Sequence, residues 1–251
     1  MPDLLTPAFS SFWNHFALRS FQVVVDWKTP VTLPSYKGSA IRGAVGFALR
    51  SLVCTEGPHA PCSNCPHRHA CPYAILYESA IAPGERPSNL RDIPKPLVLV
   101  PPLGEQRDFI PGDTSVITAI LVGSAIHLLP ALIAAIALTG EKGIREDNHG
   151  LFTIRKVIQL QPDNAPTQVW HDIHDPLLFL RSTSPGGLEH LPAETLDSIP
   201  STLIGADALD LTFYTPLRIE ERGRLMTEAP SLAMLAARLC ERLDLLSRFY
   251  C

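Results

Sequence analysis

The sequence predicts an α+β fold in which strands and helices alternate over the first 161 residues. Three observations predict it. Short runs of alternating apolar and polar residues indicate strands, and two longer apolar stretches indicate helices. The 24 prolines among 251 residues favour bends and extended connections over a helical bundle. An apolar content of 46% with 18% charged residues is sufficient for a packed core.

The first strand and the first helix are adjacent. Apolar residues alternate with other side chains over residues 19–28, which predicts a half-buried strand. A helix is expected at about 39–53, because apolar side chains recur there every three or four residues. Ser39 is placed to cap the N-terminus of that helix.

The start of this helix has the composition of an anion site. Lys37 and Gly38 come before it, so free backbone N–H groups and a positive charge point to one place, which suits a phosphate. A solvated lysine before an ordinary buried helix is the competing interpretation. Within the helix, Gly43 and Gly46 each cost roughly 1 kcal/mol relative to alanine. We therefore expect another backbone to approach closely at these two positions.

The remaining elements of the first domain follow in order. Strands are predicted at Leu97–Val100, Thr114–Val122 and 152–160, and an apolar helix is predicted at Ala125–Leu138, ending at Gly140. The order is then β-α-β-β-α-β, which is the ferredoxin-like arrangement. No apolar run is expected to reach membrane-spanning length, and no signal peptide is evident, so we expect a cytoplasmic protein with no membrane partner.

Composition divides the chain into three parts. Residues 1–161 are interpreted as the ferredoxin-like domain, with a Cys-rich insertion at 54–73. Residues 162–205 are rich in Pro, Ser, Thr and Gly, as in a linker. Alternating apolar residues at 209–219 and a leucine stripe near the end of the chain predict a strand and a final helix. Residues 206–251 are therefore interpreted as a partial second ferredoxin-like unit.

Four of the six cysteines fall within 18 residues, with the spacing C-x7-C-x2-C-x5-C. In an intracellular chain such a cluster favours a metal over disulfides. Four thiolates would complete a tetrahedral structural zinc site at about 2.3 Å per bond. A histidine of the segment is an alternative ligand, an iron–sulfur cluster is a less favoured cofactor, and a reduced, metal-free loop is the simplest interpretation. The candidate ligands are Cys54, Cys62, Cys65 and Cys71, with His59, His67 and His69 as substitutes.

The charge balance restricts how the chain could meet nucleic acid. A net charge of −4 excludes a generally basic surface. Sixteen of the 21 basic residues are arginine, however, and its planar guanidinium pairs with phosphates and stacks on bases. A local basic groove is compatible with this composition.

Two stretches resemble a known family. Residues 36–50 read Tyr-Lys-Gly-Ser-Ala-Ile-Arg-Gly-Ala-Val-Gly-Phe-Ala-Leu-Arg and lead into the cysteine cluster, which ends in Cys71-Pro-Tyr73. Residues 215–219 read Thr-Pro-Leu-Arg-Ile and precede the leucine-rich helix. This combination resembles the CRISPR-associated RNA-processing endoribonucleases of the RAMP (repeat-associated) superfamily.

The resemblance implies two tandem ferredoxin-like domains, binding of CRISPR repeat RNA and metal-independent cleavage of precursor CRISPR RNA into guide RNAs. In that reaction a ribose 2′-hydroxyl attacks the adjacent phosphate and a cyclic phosphate is left. The protein must therefore supply a base, an acid and cationic groups.

One departure from the family favours a second interpretation. Members of the family close with a Gly-rich loop and strand that bind RNA backbone, and no such segment precedes Cys251. The alternative is a non-catalytic RNA-binding RAMP subunit that works with other CRISPR effector subunits. A metal-stabilised protein-interaction module without an RNA role is the third hypothesis, supported by the negative net charge.

The candidate catalytic residues are His149, Tyr36 and Lys37. His149 lies in a glycine-bounded loop, and histidine changes its charge near neutral pH, which suits proton transfer. A solvated loop histidine is the competing interpretation, and Tyr36 and Lys37 rest only on their position at the first helix. His127 is expected to be a buried core residue.

The candidate RNA contacts are basic residues near loop glycines, near strand ends or on one face of the last helix. For any single arginine, surface solubility is the simpler interpretation. The set comprises Lys37, Arg42, Arg145, Arg155, Arg218, Arg222, Arg224, Arg238 and Arg242. A second metal site at His171, Asp172, His174 and Asp175 is only weakly indicated.

Overall fold

An antiparallel sheet of five strands organises the computed structural model of the chain. The described residues are 16–57, 60–80, 93–144, 149–160, 166–171, 210–213, 219–221 and 224–251. The strands are β1 (Leu18–Trp27), β2 (Val31–Thr32), β3 (Leu97–Val100), β4 (Asp108–Phe109), β5 (Thr114–Val122), β6 (Phe152–Leu160), β7 (Pro166–His171), β8 (Glu220–Glu221) and β9 (Arg224–Leu225). The helices are α1 (Lys37–Val53), α2 (Pro72–Glu78), α3 (Leu129–Lys142) and α4 (Leu232–Tyr250), with 3-10 turns at Cys62–Asn64 and Gly123–Leu128.

The strand order confirms the predicted fold class. The sheet runs β3-β5-β1-β6-β7, while β2 pairs with β4 and β8 pairs with β9 in separate two-stranded sheets. If β1, β3, β5 and β6 are counted as the four strands of a βαββαβ unit, α1 lies in the connection from the first to the second. Likewise α3 connects the third to the fourth. This is the α+β, ferredoxin-like arrangement that the sequence predicts.

The core lies between this sheet and the helices α1 and α3. Phe21, Val23 and Val25 of β1 are fully buried, at alternate positions of the strand. Leu132 and Ile136 of α3, one helical turn apart, are also fully buried. Buried residues therefore recur at every second position of β1 and about every fourth position of α3. Each element places one apolar face in a shared core.

Both predicted helices have different ends in the structure. α1 begins at Lys37, and its capping position is Tyr36, which makes no side-chain cap hydrogen bond. The predicted Ser39 cap is wrong, because the Ser39 hydroxyl lies inside the helix and donates to the Tyr36 carbonyl at 3.4 Å. α3 continues through Gly140. A Cβ at Gly140 would lie 2.2 Å from the Phe152 carbonyl oxygen, so this glycine permits close packing of α3 on β6 and does not end the helix.

The apolar stretch around α3 is longer than the sequence indicated. Residues Gly123–Lys142 are long and apolar enough, by length and composition, to cross a membrane. Half of that stretch is buried inside the protein, and helix positions such as Ile133 are fully buried against the core. This burial is what the core helix of a ferredoxin-like domain requires.

The boundaries of the predicted linker and second unit change in part. β7, at Pro166–His171, pairs with β6 and extends the sheet into residues interpreted as linker. Residues 210–213 are not in a strand, contrary to the strand predicted at 209–219. The rest of the predicted linker, 162–165 and 172–205, lies outside the described residues. The partial second ferredoxin-like unit stays a prediction.

The last helix packs on the first domain at its C-terminal end. Leu246 and Tyr250 are buried with Phe16 and Val122 in a small cluster of their own. Gly123, at a φ of +58°, makes this contact possible, because a Cβ there would lie 1.9 Å from the Tyr250 carbonyl oxygen. The amino-terminal half of α4 is largely exposed.

The two glycines inside α1 have different surroundings. A Cβ at Gly46 would lie 2.6 Å from Cε1 of Tyr77, whereas nothing lies within 4 Å of a Cβ at Gly43. The predicted approach of a backbone is therefore wrong at both positions. An aromatic ring approaches Gly46, and Gly43 has open space.

This difference predicts opposite effects of the same substitution. Gly43→Ala should raise the free energy of unfolding by roughly 1 kcal/mol, because alanine favours the helix and meets no neighbour. Gly46→Ala should lower it by about 1–3 kcal/mol, because the Tyr77 ring must shift. Urea denaturation of the two variants and the unchanged chain measures both effects. Equal effects at the two positions would contradict the packing described here.

Candidate nucleic-acid interface

The two segments that carry the predicted catalytic residues, the start of α1 and the turn at His149, lie at the same end of the sheet. β1 ends where β6 begins, with Trp27 paired to Phe152, so the connection from β1 to α1 leaves the sheet at the same end as the turn that precedes β6. In that turn Gly150, next to His149, packs on β2, since a Cβ there would lie 3.1 Å from Cβ of Val31. We call this region the β2 edge and define it as residues 31–39, 104–109 and 149–150.

A shallow groove lies at the β2 edge beside the start of α1. Its volume is about 450 Å³, and it is lined by Thr32, Leu33, Pro34, Ala40 and Arg107. Nε of Arg107 donates to the Leu33 carbonyl at 3.1 Å, which holds the guanidinium beside the groove. The carboxylate of Asp108 accepts a hydrogen bond from the Thr32 hydroxyl at 2.5 Å and adds one negative charge nearby.

The start of α1 is suited to an anion. The first turn contains no acidic residue, and no side chain caps it. Its unpaired N–H groups and the positive end of the helix dipole favour negative charge. Tyr36, at the capping position, is 45% exposed, so its ring is available for stacking. His149 is also exposed.

Lys37 has a different environment from the one its position suggested. It is only 4% exposed, and its ammonium donates to the Gly104 carbonyl at 2.8 Å. This hydrogen bond ties the start of α1 to the segment that carries Arg107. The predicted roles of Lys37 in catalysis and RNA contact stay predictions, and either role requires this bond to open.

The other predicted RNA contacts are spread over several elements. Arg155 of β6 is paired with Asp26 through two contacts, at 2.8 and 3.0 Å. Arg42 of α1 lies over the Tyr77 ring at 4.6 Å. On α4, Arg238 is paired with Glu241 at 2.7 Å, and Arg242 is exposed. Arg145, Arg218 and Arg222 lie outside the described residues, and of Arg224 only the backbone is described, in β9.

The described members of this set do not form one basic groove. They lie on α1, β6, β9 and α4, and most of those whose side chains are described have a partner within the chain. Arg107, which lines the groove, was not among the sequence candidates. It lies between Gly104 and β4 in an irregular segment without apolar periodicity, and its position beside the start of α1 follows from the pairing of β4 with β2.

The structure also bears on two predictions about histidines. His127 lies in the 3-10 turn before α3 and is exposed, so the prediction that it is a core residue is wrong. That turn follows β5, at the end of the sheet opposite the β2 edge. His171 is the last residue of β7. The other members of its weakly indicated metal site, Asp172, His174 and Asp175, lie outside the described residues.

The four clustered cysteines surround one cavity. Cys54 follows the last residue of α1, Cys62 begins a 3-10 turn that Cys65 ends, and Cys71 caps α2. All four are half-buried and line a cavity of about 260 Å³, together with His67. Among the described residues, no three His, Cys, Asp or Glu side chains form a metal-binding group. His59 is not described, and the zinc site stays a prediction.

A stack of two tyrosine rings between two arginine side chains joins α1 to α2 beside this cavity. The rings of Tyr73 and Tyr77 stack at 5.5 Å, Arg50 lies over Tyr73 at 5.4 Å, and Arg42 lies over Tyr77. Burial raises the pKa of Tyr73 and raises the pKa of Tyr77 to about 12, which keeps both phenols neutral. Burial also raises the pKa of the Cys62 thiol, and the Arg50 guanidinium opposes that rise.

Comparison with known proteins shows the family. No curated protein matches the sequence. Similar solved structures include a chain of the "Csm3-Csm4 subcomplex in the type III-A CRISPR-Cas interference complex", 11% identical, with 66% of this chain and 94% of that chain covered. The TM-score of 0.40 is too low to equate the two folds. The model of the AF_1859_N N-terminal domain family matches residues 16–179, which is well over half of the chain. The chain therefore belongs to the AF_1859_N N-terminal domain family.

Proposed function

We propose that this chain binds CRISPR repeat RNA at the β2 edge and cleaves precursor CRISPR RNA there without a metal ion. One observation carries the proposal: the uncapped start of α1, Arg107, the exposed Tyr36 ring and the His149 turn all lie at one edge. The resemblance of residues 36–73 to RAMP endoribonucleases supports RNA as the ligand, and the ferredoxin-like domain agrees with it.

Each group at this edge has a role that its chemistry permits. Arg107 and the N–H groups of α1 bind the scissile phosphate and stabilise the charge that develops on it. The Tyr36 ring stacks on a base. The 2′-oxygen forms a bond to phosphorus while the bond to the 5′-oxygen breaks, and a cyclic phosphate is left. His149 either accepts the 2′-hydroxyl proton or donates a proton to the departing 5′-oxygen, and solvent water takes part in the other proton transfer.

A second function, RNA binding without cleavage, is favoured by a specific observation. The ammonium of Lys37 is buried and bound to the Gly104 carbonyl. Of the described basic side chains, Arg107 is the one that lines the groove, and cleavage needs cationic stabilisation together with an acid and a base. In this case the chain is a CRISPR-associated RNA-binding subunit whose partners are other effector subunits.

One experiment separates these functions. The full chain is incubated with labelled CRISPR repeat RNA, with and without EDTA, and the RNA is examined on denaturing and native gels. We expect a single product with a cyclic-phosphate end that forms equally well in EDTA. Intact RNA that is retarded on the native gel identifies the non-catalytic subunit. Failure to bind repeat RNA at any salt concentration contradicts both functions and favours the protein-interaction module.

A further inference from the structure

We propose that Cys54, Cys62, Cys65 and Cys71 bind one structural zinc ion in the cavity between the end of α1 and the start of α2. The evidence begins with the backbone. Two of the four cysteines are fixed by helix ends, Cys54 after α1 and Cys71 at the cap of α2. The elements that carry these two residues pack on each other, so their positions are set by the core of the domain.

The other two cysteines lie on a tight turn. The backbone N–H of Cys65 donates to the Cys62 carbonyl at 3.3 Å across the 3-10 turn. A C-x2-C turn of this kind presents two thiolates to one metal ion and is the usual spacing in structural zinc sites. Three separate backbone segments therefore supply the four cysteines that line the cavity. One tetrahedral ion can join these segments.

Two buried arginine atoms indicate that negative charge belongs in this cavity. Nε of Arg50 and Nε of Arg68 are buried and have no hydrogen-bond partner within the described residues. The other guanidinium nitrogens hold the loop between the cysteines: Nη2 of Arg50 donates to the Ala60 carbonyl, and Nη1 of Arg68 donates to the Ser63 carbonyl at 3.2 Å. A buried donor without an acceptor is costly. Thiolate sulfurs are acceptors, and the Arg50 guanidinium already lies beside Cys54 and Cys62.

Charge supports the same ligand set. Four thiolates and one Zn²⁺ carry a net charge of −2, which two guanidinium groups offset. Binding converts four thiols to thiolates, forms four Zn–S bonds and releases four protons. The Cys54 thiol now donates to the Gly57 carbonyl at 3.3 Å, so this hydrogen bond breaks when its sulfur turns to the metal.

The ion would hold a segment that has little core of its own. Residues 60–71 contribute no buried apolar residue to the main core, in contrast to Leu76 of α2. A metal joining both ends of this segment would fix α2 on α1. It would thereby fix the stack of Arg42, Tyr77, Tyr73 and Arg50 described above.

Metal content tests the proposal directly. The full chain is purified in zinc-containing medium without chelators, and zinc and iron are measured by plasma mass spectrometry. We expect one zinc per chain and no iron. The double substitution Cys62→Ser with Cys65→Ser should abolish zinc binding, whereas Cys240→Ser, at an exposed cysteine of α4, should leave it unchanged. His67→Ala should also retain the zinc, because the ligand set contains four sulfurs.

Thiol reactivity gives a second test that does not depend on folding of the variants. In the unchanged native chain, only Cys240 and Cys251 should react rapidly with a thiol reagent, and the other four should react when an organomercurial releases the zinc. Replacement of zinc by Co²⁺ should produce the visible absorption of tetrahedral sulfur coordination. Six reactive thiols without metal would overturn the proposal. Stoichiometric iron with cluster absorption, or loss of zinc in His67→Ala, would also overturn it.

Discussion

Replacing His149 by alanine is expected to lower the single-turnover rate of repeat RNA cleavage by about 10²- to 10⁴-fold, the usual contribution of a positioned acid or base. Binding should change little, because the imidazole is exposed in a turn at the rim of the β2 edge and the proposed phosphate contacts come from other groups. Rapid-quench measurements with enzyme in excess give the cleavage rate, and filter binding of a substrate with a 2′-deoxy nucleotide at the cleaved position gives the affinity.

The matched control is His127→Ala. His127 is also an exposed histidine in a turn, but it lies at the opposite end of the sheet. Its substitution should leave the rate unchanged. A His149→Ala variant as fast as the unchanged chain would exclude His149 as the acid or base, and equal losses in both variants would indicate a general effect on folding.

Replacing Trp27 by alanine is expected to cost about 3–5 kcal/mol of unfolding free energy, as for other fully buried large aromatics. The indole is 1% exposed, stacks on Phe109 at 5.0 Å and meets Phe152 edge-on at 5.4 Å. Its N–H donates to the buried hydroxyl of Ser115 at 2.8 Å. Phe109 belongs to β4, just after Arg107, and Phe152 begins β6, just after the His149 turn. Trp27 therefore supports both segments of the candidate site.

Two variants distinguish packing from a general aromatic effect. Phe47 is 65% exposed, and its contact with the Lys142 ammonium, at 6.0 Å, is a weak one, so Phe47→Ala should cost less than about 1 kcal/mol. Trp27→Phe keeps a ring but leaves the Ser115 hydroxyl without its donor, at a cost of about 1–3 kcal/mol. Urea denaturation measures all three. A Trp27→Ala variant as stable as Phe47→Ala would contradict the packing at the β2 edge.

Much of the fold could be predicted from the sequence because its signals are local. The strands Leu97–Val100 and Thr114–Val122 agree with the prediction at both ends, since β-branched and apolar residues there are bounded by turn residues. The ends of helices depend more on contacts with other elements. Gly140 resembled a stop signal, but it lies within α3 because Phe152, in another element, needs the space that a side chain would take. Such a requirement cannot be recognised in a single stretch of sequence.

From the sequence, residues of the candidate site can be predicted only where their type and their position along the chain point to a role. Tyr36 and His149 were found because they lie at a helix start and in a glycine-bounded turn. Their placement at one edge depends on β2 and on the packing of Gly150 on Val31, which is a contact between distant residues. The burial of Lys37 depends likewise on the Gly104 carbonyl, 67 residues away. Arg107 was missed for the same reason.

The most direct test of the central claim is to locate RNA on the protein. The full chain is cross-linked by ultraviolet light to CRISPR repeat RNA, digested and analysed by mass spectrometry, with a scrambled RNA of equal length as the control. We predict repeat-specific cross-links within residues 31–39, 104–109 and 149–150, with Tyr36 prominent among them. Cross-links confined to the opposite end of the sheet, at the turn Gly123–Leu128 and α4, would contradict binding at the β2 edge.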